Sequence, residues 1–316
     1  MADERRELTR LERTIDRAAN RILEGKPGSG ARAVLLECAV FLLKQAWACI
    51  FGALILAAIV AARLWYPDDA PLARNDALTI AAIVIQIGML AFRLESGREL
   101  WVIVLFHITG TVMEIFKTDV GSWAYEAEGF LRIGGVPLFS GFMYAAIGSY
   151  MVRVYRLHDL RFSRYPSRII TTIVAVLIYA NFYTHHYVFD ARWILLVAVF
   201  VMWLPTQMHF RVWRKTLRAP LLLVFAGVAL FIWFAENIGT WAGAWIYPHQ
   251  EASWELVSPQ KLVAWFLLMI ISVVMVTWVY PPEEPEPESG LVPGPVERAA
   301  DNTQPDDAHD AQYDER

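Results

Sequence analysis

Cysteine is nearly absent from this chain. Cys38 and Cys49 both fall in the first hydrophobic region. Neither forms a CxxC or joins a Cys/His cluster, so they read as small apolar filler. There is no GxGxxG, no P-loop and no HExxH, so the sequence gives no reason to expect a cofactor or a metal. No cleavable signal peptide is visible, because the first 32 residues alternate arginine with acid and hold no apolar h-region. Charge is scarce too, at 19% of residues against 56% hydrophobic, which lets much of the chain sit in lipid.

What is present is long apolar runs. A spanning helix needs roughly 20 apolar residues for a ~30 Å hydrocarbon core. Eight runs qualify: about 46–65, 77–95, 99–116, 135–156, 169–187, 191–209, 219–238 and 259–280. The expected fold is therefore all-α: a polytopic membrane protein of eight transmembrane helices. Basic residues cluster in the amino-terminal segment, after the fourth run (Arg153, Arg156, Arg161, Arg164, Arg168) and after the sixth (Arg211, Arg214, Lys215, Arg218). The short loop with Arg93 and Arg98 falls on the same side. The positive-inside rule then places both termini in the cytoplasm and the opposite loops outside. The basic loops follow topology and make no case for nucleic acid. The stretch 33–44 reads as a cytoplasmic-side extension of the first helix or an interfacial piece.

The ends are different material. Residues 1–32 form a cytoplasmic amphipathic segment, with Leu8, Leu11, Ile15, Ala18 and Ile22 on one face of a helix over 4–24. Residues 281–316 hold eleven acids against Arg298 and Arg316, with seven prolines. That composition cannot build a core and predicts a disordered acidic tail. Without it the chain carries 26 basic and 21 acidic residues, a formal +5 against −4 for the whole. Between the ends lie two halves, 33–157 and 158–280, each with four runs. Four is even, so the halves share one orientation and form a parallel four-helix repeat.

A short motif carries that repeat. Glu114, Thr118, Gly121, Trp123, Tyr125 and Pro137 recur as Glu236, Thr240, Gly243, Trp245, Tyr247 and Pro259, each 122 positions on with no gap. The identities include Trp, Tyr, Gly, Pro and a carboxylate beside a hydrophobic span. His107, Thr111, Glu114 and Thr118 are spaced to stack on one face of the third helix. The matching face of the seventh carries Trp233, Glu236 and Thr240, with Asn237 beside it. An ionisable residue inside a span is expensive and faces the bundle interior as a rule. An apolar pocket favours the neutral form of a carboxylic acid, and a neutral acid is a proton donor. Trp123, Tyr125, Trp245 and Tyr247 would rim such a pocket, with ring faces that can stabilise a cation.

The structural reading stands beside it. A glutamate at a helix end can bond an indole N–H, a tyrosine hydroxyl or free backbone groups of the facing half. Gly121 and Gly243 then serve tight turns, and Pro137 and Pro259 start helices. Such a latch explains the repetition without a substrate. Asn181, Tyr183, His185 and His186 cluster at the outer end of the fifth helix, but adjacent histidines point about 100° apart and chelate one metal poorly. Gln86, Gln207 and His209 read as bridges between helices.

The phrases "HITGTVMEIFKTDVGSWAYEAEG", "GVPLFSGFMYAAIGSY" and "FAENIGTWAGAWIYPHQ" resemble a bacterial membrane family catalogued as domain of unknown function 817. The resemblance runs from about the first helix to the eighth and brings no established activity. The order Glu114, Gly121, Trp123, Tyr125 and Gly135-Val136-Pro137 is also similar to membrane carotenoid hydratases and cyclases. That likeness implies protonation of an isoprenoid double bond by a buried acid, with aromatic residues facing the carbocation. Three classes follow. One is an isoprenoid- or lipid-modifying enzyme with Glu114 and Glu236 as acid/base. The second is a small-solute or proton-coupled carrier, and the third a non-catalytic membrane scaffold. Membrane lipids and an isoprenoid substrate are the expected partners, and the oligomeric state stays open.

Overall fold

The computed structural model describes residues 31–285, apart from 93, 96, 127, 213–215 and the side chains of 32, 97 and 98, together with residues 14, 17 and 21. The amphipathic helix expected over 4–24 lies outside the described residues but for those three. The acidic tail from 286 onward lies outside them, as do Arg93, Arg214 and Lys215.

The described chain is predominantly helical. Helix α1 (Ala31–Ala48) meets α2 (Ile50–Trp65) at a 64° bend beside Cys49. Then follow α3 (Arg74–Ala91), α4 (Gly97–Asp119), a two-residue ladder of β1 (Arg132–Ile133) with β2 (Val136–Pro137), and α5 (Phe139–Leu157). After strand β3 (Arg161–Ser163) come α6 (Arg168–Thr184) and α7 (Arg192–Trp203). A hairpin of β4 (Gln207–Arg211) and β5 (Thr216–Pro220) leads to α8 (Leu221–Trp241). A 3-10 turn (Pro248–Gln250) precedes α9 (Lys261–Val279).

Helices α3, α4, α8 and α9 are long and apolar enough to cross a membrane, and the bent α1–α2 pair makes a fifth candidate. Large apolar side chains such as Leu54, Val84, Ile108, Val197 and Phe231 stand exposed on helix surfaces. A helix satisfies its backbone polar groups internally even in lipid, so such apolar helix surfaces fit a membrane protein. The apolar run 191–209 is not one helix. Pro205 has no backbone N–H with which to continue the α7 ladder, and the chain leaves as a strand. Helices α6 and α7 are apolar but shorter than the spanning candidates. Helix α5 packs on α2, α3 and α4, as α9 packs on α6, α7 and α8.

Antiparallel strands β3, β4 and β5 form one sheet at the end where α5 and α9 finish. The basic loops thus meet as a sheet, which topology alone did not foretell. Beneath it lies a buried polar layer. Lys44 Nζ donates to Val212 O at 2.8 Å and to Leu157 O at 3.3 Å. His158, 1% exposed, sits between Gln45 and the Arg211 carbonyl. Arg153 pairs with Glu95 at 3.7 Å with both side chains fully buried, and Ser149 and Gln86 also donate to Glu95.

Burial beside Lys44 pushes the His158 imidazole down to about 4. The folded chain therefore keeps it neutral while the unfolded chain protonates it near 6.5. Stability should fall as pH drops from about 6.5 toward 4, by roughly 1–2 kcal/mol between pH 6.5 and 5. Thermal unfolding in detergent across that window should show the slope in the parent chain and a flatter line in His158→Gln. Equal slopes in the two would remove His158 as the cause.

Candidate functional site

Helices α4 and α8 end in the same way. Ser122 N–H bonds the Lys117 carbonyl and Gly121 N–H the Thr118 carbonyl, while Ala244 and Gly243 do the same to Gly239 and Thr240. This is a Schellman closure, and it needs a left-handed residue just past the helix. Gly121 at φ 72° and Gly243 at φ 69° supply it without a Cβ penalty. Each turn sends its Trp-x-Tyr run back under the helix end. The two runs meet: Ala124 N–H bonds Ile246 O at 2.9 Å, and Ile246 N–H bonds Ala124 O at 3.0 Å. Arg74 at the start of α3 ties them further, donating to the Gly243 and Ala242 carbonyls and to Glu126. Asp76 accepts from the Phe130 and Leu131 backbone N–H groups and anchors the first loop.

Glu114 is 3% exposed and accepts three bonds: Trp123 Nε1–H and Tyr125 O–H at 2.8 Å each, and Tyr144 O–H at 2.7 Å. Glu236, equally buried, accepts from the Tyr247 hydroxyl and the Trp265 indole. Burial, then the neighbouring Glu114 carboxylate, holds the Tyr125 phenol well above its ordinary value. Burial and Glu236 do the same to Tyr247. Both phenols stay protonated and can donate. Each carboxyl is thus held by hydroxyl and indole donors, with a tyrosine of its own motif loop in both cases.

Both carboxyls lie on the wall of one cavity of about 490 Å³ between α2, α4, α5, α8 and α9. Its wall is mostly apolar and includes Trp123, Tyr125, Trp245 and Tyr247. Tyr144 and Trp265 also line it and were not foreseen. At the 122-residue offset Tyr144 matches Phe266, so the second donor sits one residue early on α9.

The other expected lining residues are used elsewhere. His107 packs edge-on against Phe142 at 4.9 Å and over Gly141, where a Cβ would come within 2.6 Å of the ring. Thr111 is half-buried on α4 outside the cavity, and Thr118 bonds the carbonyls of its own helix. Trp233 Nε1–H bonds the Val257 carbonyl, Asn237 Oδ1 accepts from Val257 N–H, and Thr240 accepts from the Trp254 indole. Those three fix the second motif loop to α8. Pro137 lies in β2 and Pro259 in a turn, each two residues before its helix begins.

The family described as "Protein of unknown function (DUF817)" matches residues 37–273, and the chain belongs to it. "Uncharacterized protein YoaT" of Bacillus subtilis (strain 168) is 39% identical over 244 residues, which cover 77% of this chain and 92% of that protein. No solved structure matches.

Proposed function

We propose that this DUF817 member is a multi-pass membrane protein whose two parallel halves, 33–157 and 158–280, enclose a lipid-modifying site. In this reading Glu114 and Glu236 act as acid and base on an isoprenoid or similar lipid. The observation that carries it is that both carboxyls share the wall of one mainly apolar cavity. Apolar walls suit a hydrocarbon chain, and Trp and Tyr faces suit a carbocation formed on it. The likeness of the first motif to carotenoid hydratases and cyclases points the same way. An apolar wall disfavours a small-solute carrier.

The repeat reading has its own support. Helix α9 begins and ends 122 residues after α5, and α8 ends 122 residues after α4. The Ala124–Ile246 bridge pairs residues that are themselves 122 apart. Eight spans, with α7 the shortest, keep both motif loops at one end and the basic sheet at the other. With the basic end cytoplasmic, cysteines placed at Ser122 and Ser253 should react with an impermeant thiol reagent outside intact cells. One at Ser163 should stay protected, and the reverse pattern would invert the orientation.

The latch reading keeps one observation in its favour: three donors already occupy the Glu114 carboxylate. Glu114→Gln separates the two. The Gln carbonyl can accept from Trp123 and Tyr125, and its NH₂ can donate to the Tyr144 oxygen. The variant should therefore fold and insert, yet cannot pass a proton. Lipid extracts of cells making the parent, Glu114→Gln and Glu236→Gln should differ if the carboxyls do chemistry. Identical extracts, with stability lowered by roughly 1–3 kcal/mol in both variants, would leave the latch.

A further inference from the structure

The cavity has a charged end. Lys117 in the last turn of α4, Lys261 opening α9 and Arg192 opening α7 all line it near the motif loops. The three cations are close enough to repel one another. Lys117 is 5% exposed, with His186 Nε2 3.0 Å from its ammonium. Lys261 Nζ lies 4.2 Å from the Tyr247 ring centre and 5.6 Å from that of Trp123. Among the described residues neither lysine makes an ion pair, while Arg192 pairs with Asp190 at 3.1 Å. Glu236 attracts Lys261 from deeper in the cavity, but its oxygens are taken by Tyr247 and Trp265. Burying an ammonium without a counter-ion costs several kcal/mol, so this end is short of negative charge.

The repeat sharpens the point. Glu, Trp and Tyr recur at the 122-residue offset, whereas the cations do not: Lys117 matches Gly239, Lys261 matches Phe139 and Arg192 matches Ala70. The recurring residues build a twofold frame. The cations break it and give the cavity a polar end and an apolar end. Away from them the wall is Ile55, Ile59, Ile147, Val228, Phe231 and Leu268.

We propose that the cavity binds an apolar chain bearing a phosphate or diphosphate head, with the head on Lys117, Lys261 and Arg192 and the chain along the isoleucine-rich wall. The apolar-chain part rests on the lipid-modifying reading; the head does not. Asp190 offsets one of the three cations, so a head with two or more negative charges fits better than a carboxylate. Lysine ammonium groups and an arginine fork are the usual ligands of phosphate oxygens. A volume of about 490 Å³ lies within the range of small-molecule sites, ~300–1,000 Å³.

The test uses the full chain in a neutral detergent and three probes: farnesyl diphosphate, farnesol and inorganic pyrophosphate. Binding is read by tryptophan fluorescence. Farnesyl diphosphate should bind at least tenfold tighter than either of the others. Lys117→Gln and Arg192→Gln, each singly, should bring it to within about threefold of farnesol and leave farnesol unchanged. Should Lys117→Gln fail to fold, Arg192→Gln still decides, because its side chain is partly exposed at the rim. Equal binding of farnesol and farnesyl diphosphate would overturn the head. Pyrophosphate binding as tightly as farnesyl diphosphate would overturn the chain and leave a free-phosphate site. If the parent chain binds farnesyl diphosphate as expected while the lipid extract of Glu114→Gln is unchanged, the acid/base reading fails and the binding proposal stands.

Discussion

Arg153→Leu should destabilise the chain by about 3–5 kcal/mol, the cost of stranding one member of a buried ion pair. Arg153 and Glu95 are both fully buried, and the guanidinium also lies over the Trp47 ring and donates to the Trp47 and Leu94 carbonyls. With Arg153 gone, Glu95 keeps Ser149 and Gln86 but loses its cation. The double variant Arg153→Leu/Glu95→Leu should therefore be more stable than Arg153→Leu alone. Urea unfolding in mixed micelles measures all of these. A single-variant loss within about 0.5 kcal/mol, the size of an ordinary surface change, would show that the pair holds nothing.

Gly110→Val should cost roughly 2–4 kcal/mol and loosen the Glu114 site together. A Cβ at Gly110 collides with the base of the Tyr144 side chain, which has no free end to swing aside. Helices α4 and α5 must part, an overpacking cost of roughly 1–3 kcal/mol. Tyr144 then withdraws from Glu114, adding the loss of one hydrogen bond, about 0.5–1.5 kcal/mol. Gly148→Ala is the milder control, since the added methyl would meet Phe106 at 3.0 Å rather than at collision distance. Unfolding and tryptophan emission together test the coupling. A destabilised Gly110→Val with parental emission would detach Tyr144 from the site.

Much of the site was legible because its determinants are local. Gly121, Trp123 and Tyr125 follow Glu114 within eleven residues, so one turn brings donors and carboxyl together. The small residues of "GVPLFSGFMYAAIGSY" announced close packing, and Gly141 and Gly148 do receive His107 and Phe106. His107 looked like part of the site because a helix face shows which residues stack but not what the neighbouring helix presents. Here α5 presents Gly141 and Phe142, and the imidazole packs there. Lys117, Arg192 and Lys261 were invisible as a group because they come from three helices and converge only on folding. The basic loops read as a topology signal alone. That they pair as β3, β4 and β5 depends on 161–163 meeting 207–211, a contact no local pattern encodes.

The bridge between Ala124 and Ile246 carries a last consequence. Its two residues lie 122 positions apart, the spacing at which one motif becomes the other. It is therefore a contact that one sequence position makes with its own equivalent. Self-pairing of that kind is how a homodimer closes on its symmetry axis. On the proposed repeat, a half-length ancestor would have needed only to meet a second copy of itself to form this bridge. On that same proposal, fusion frees each half to change separately, and Lys117 and Gly239 stand at positions 122 apart.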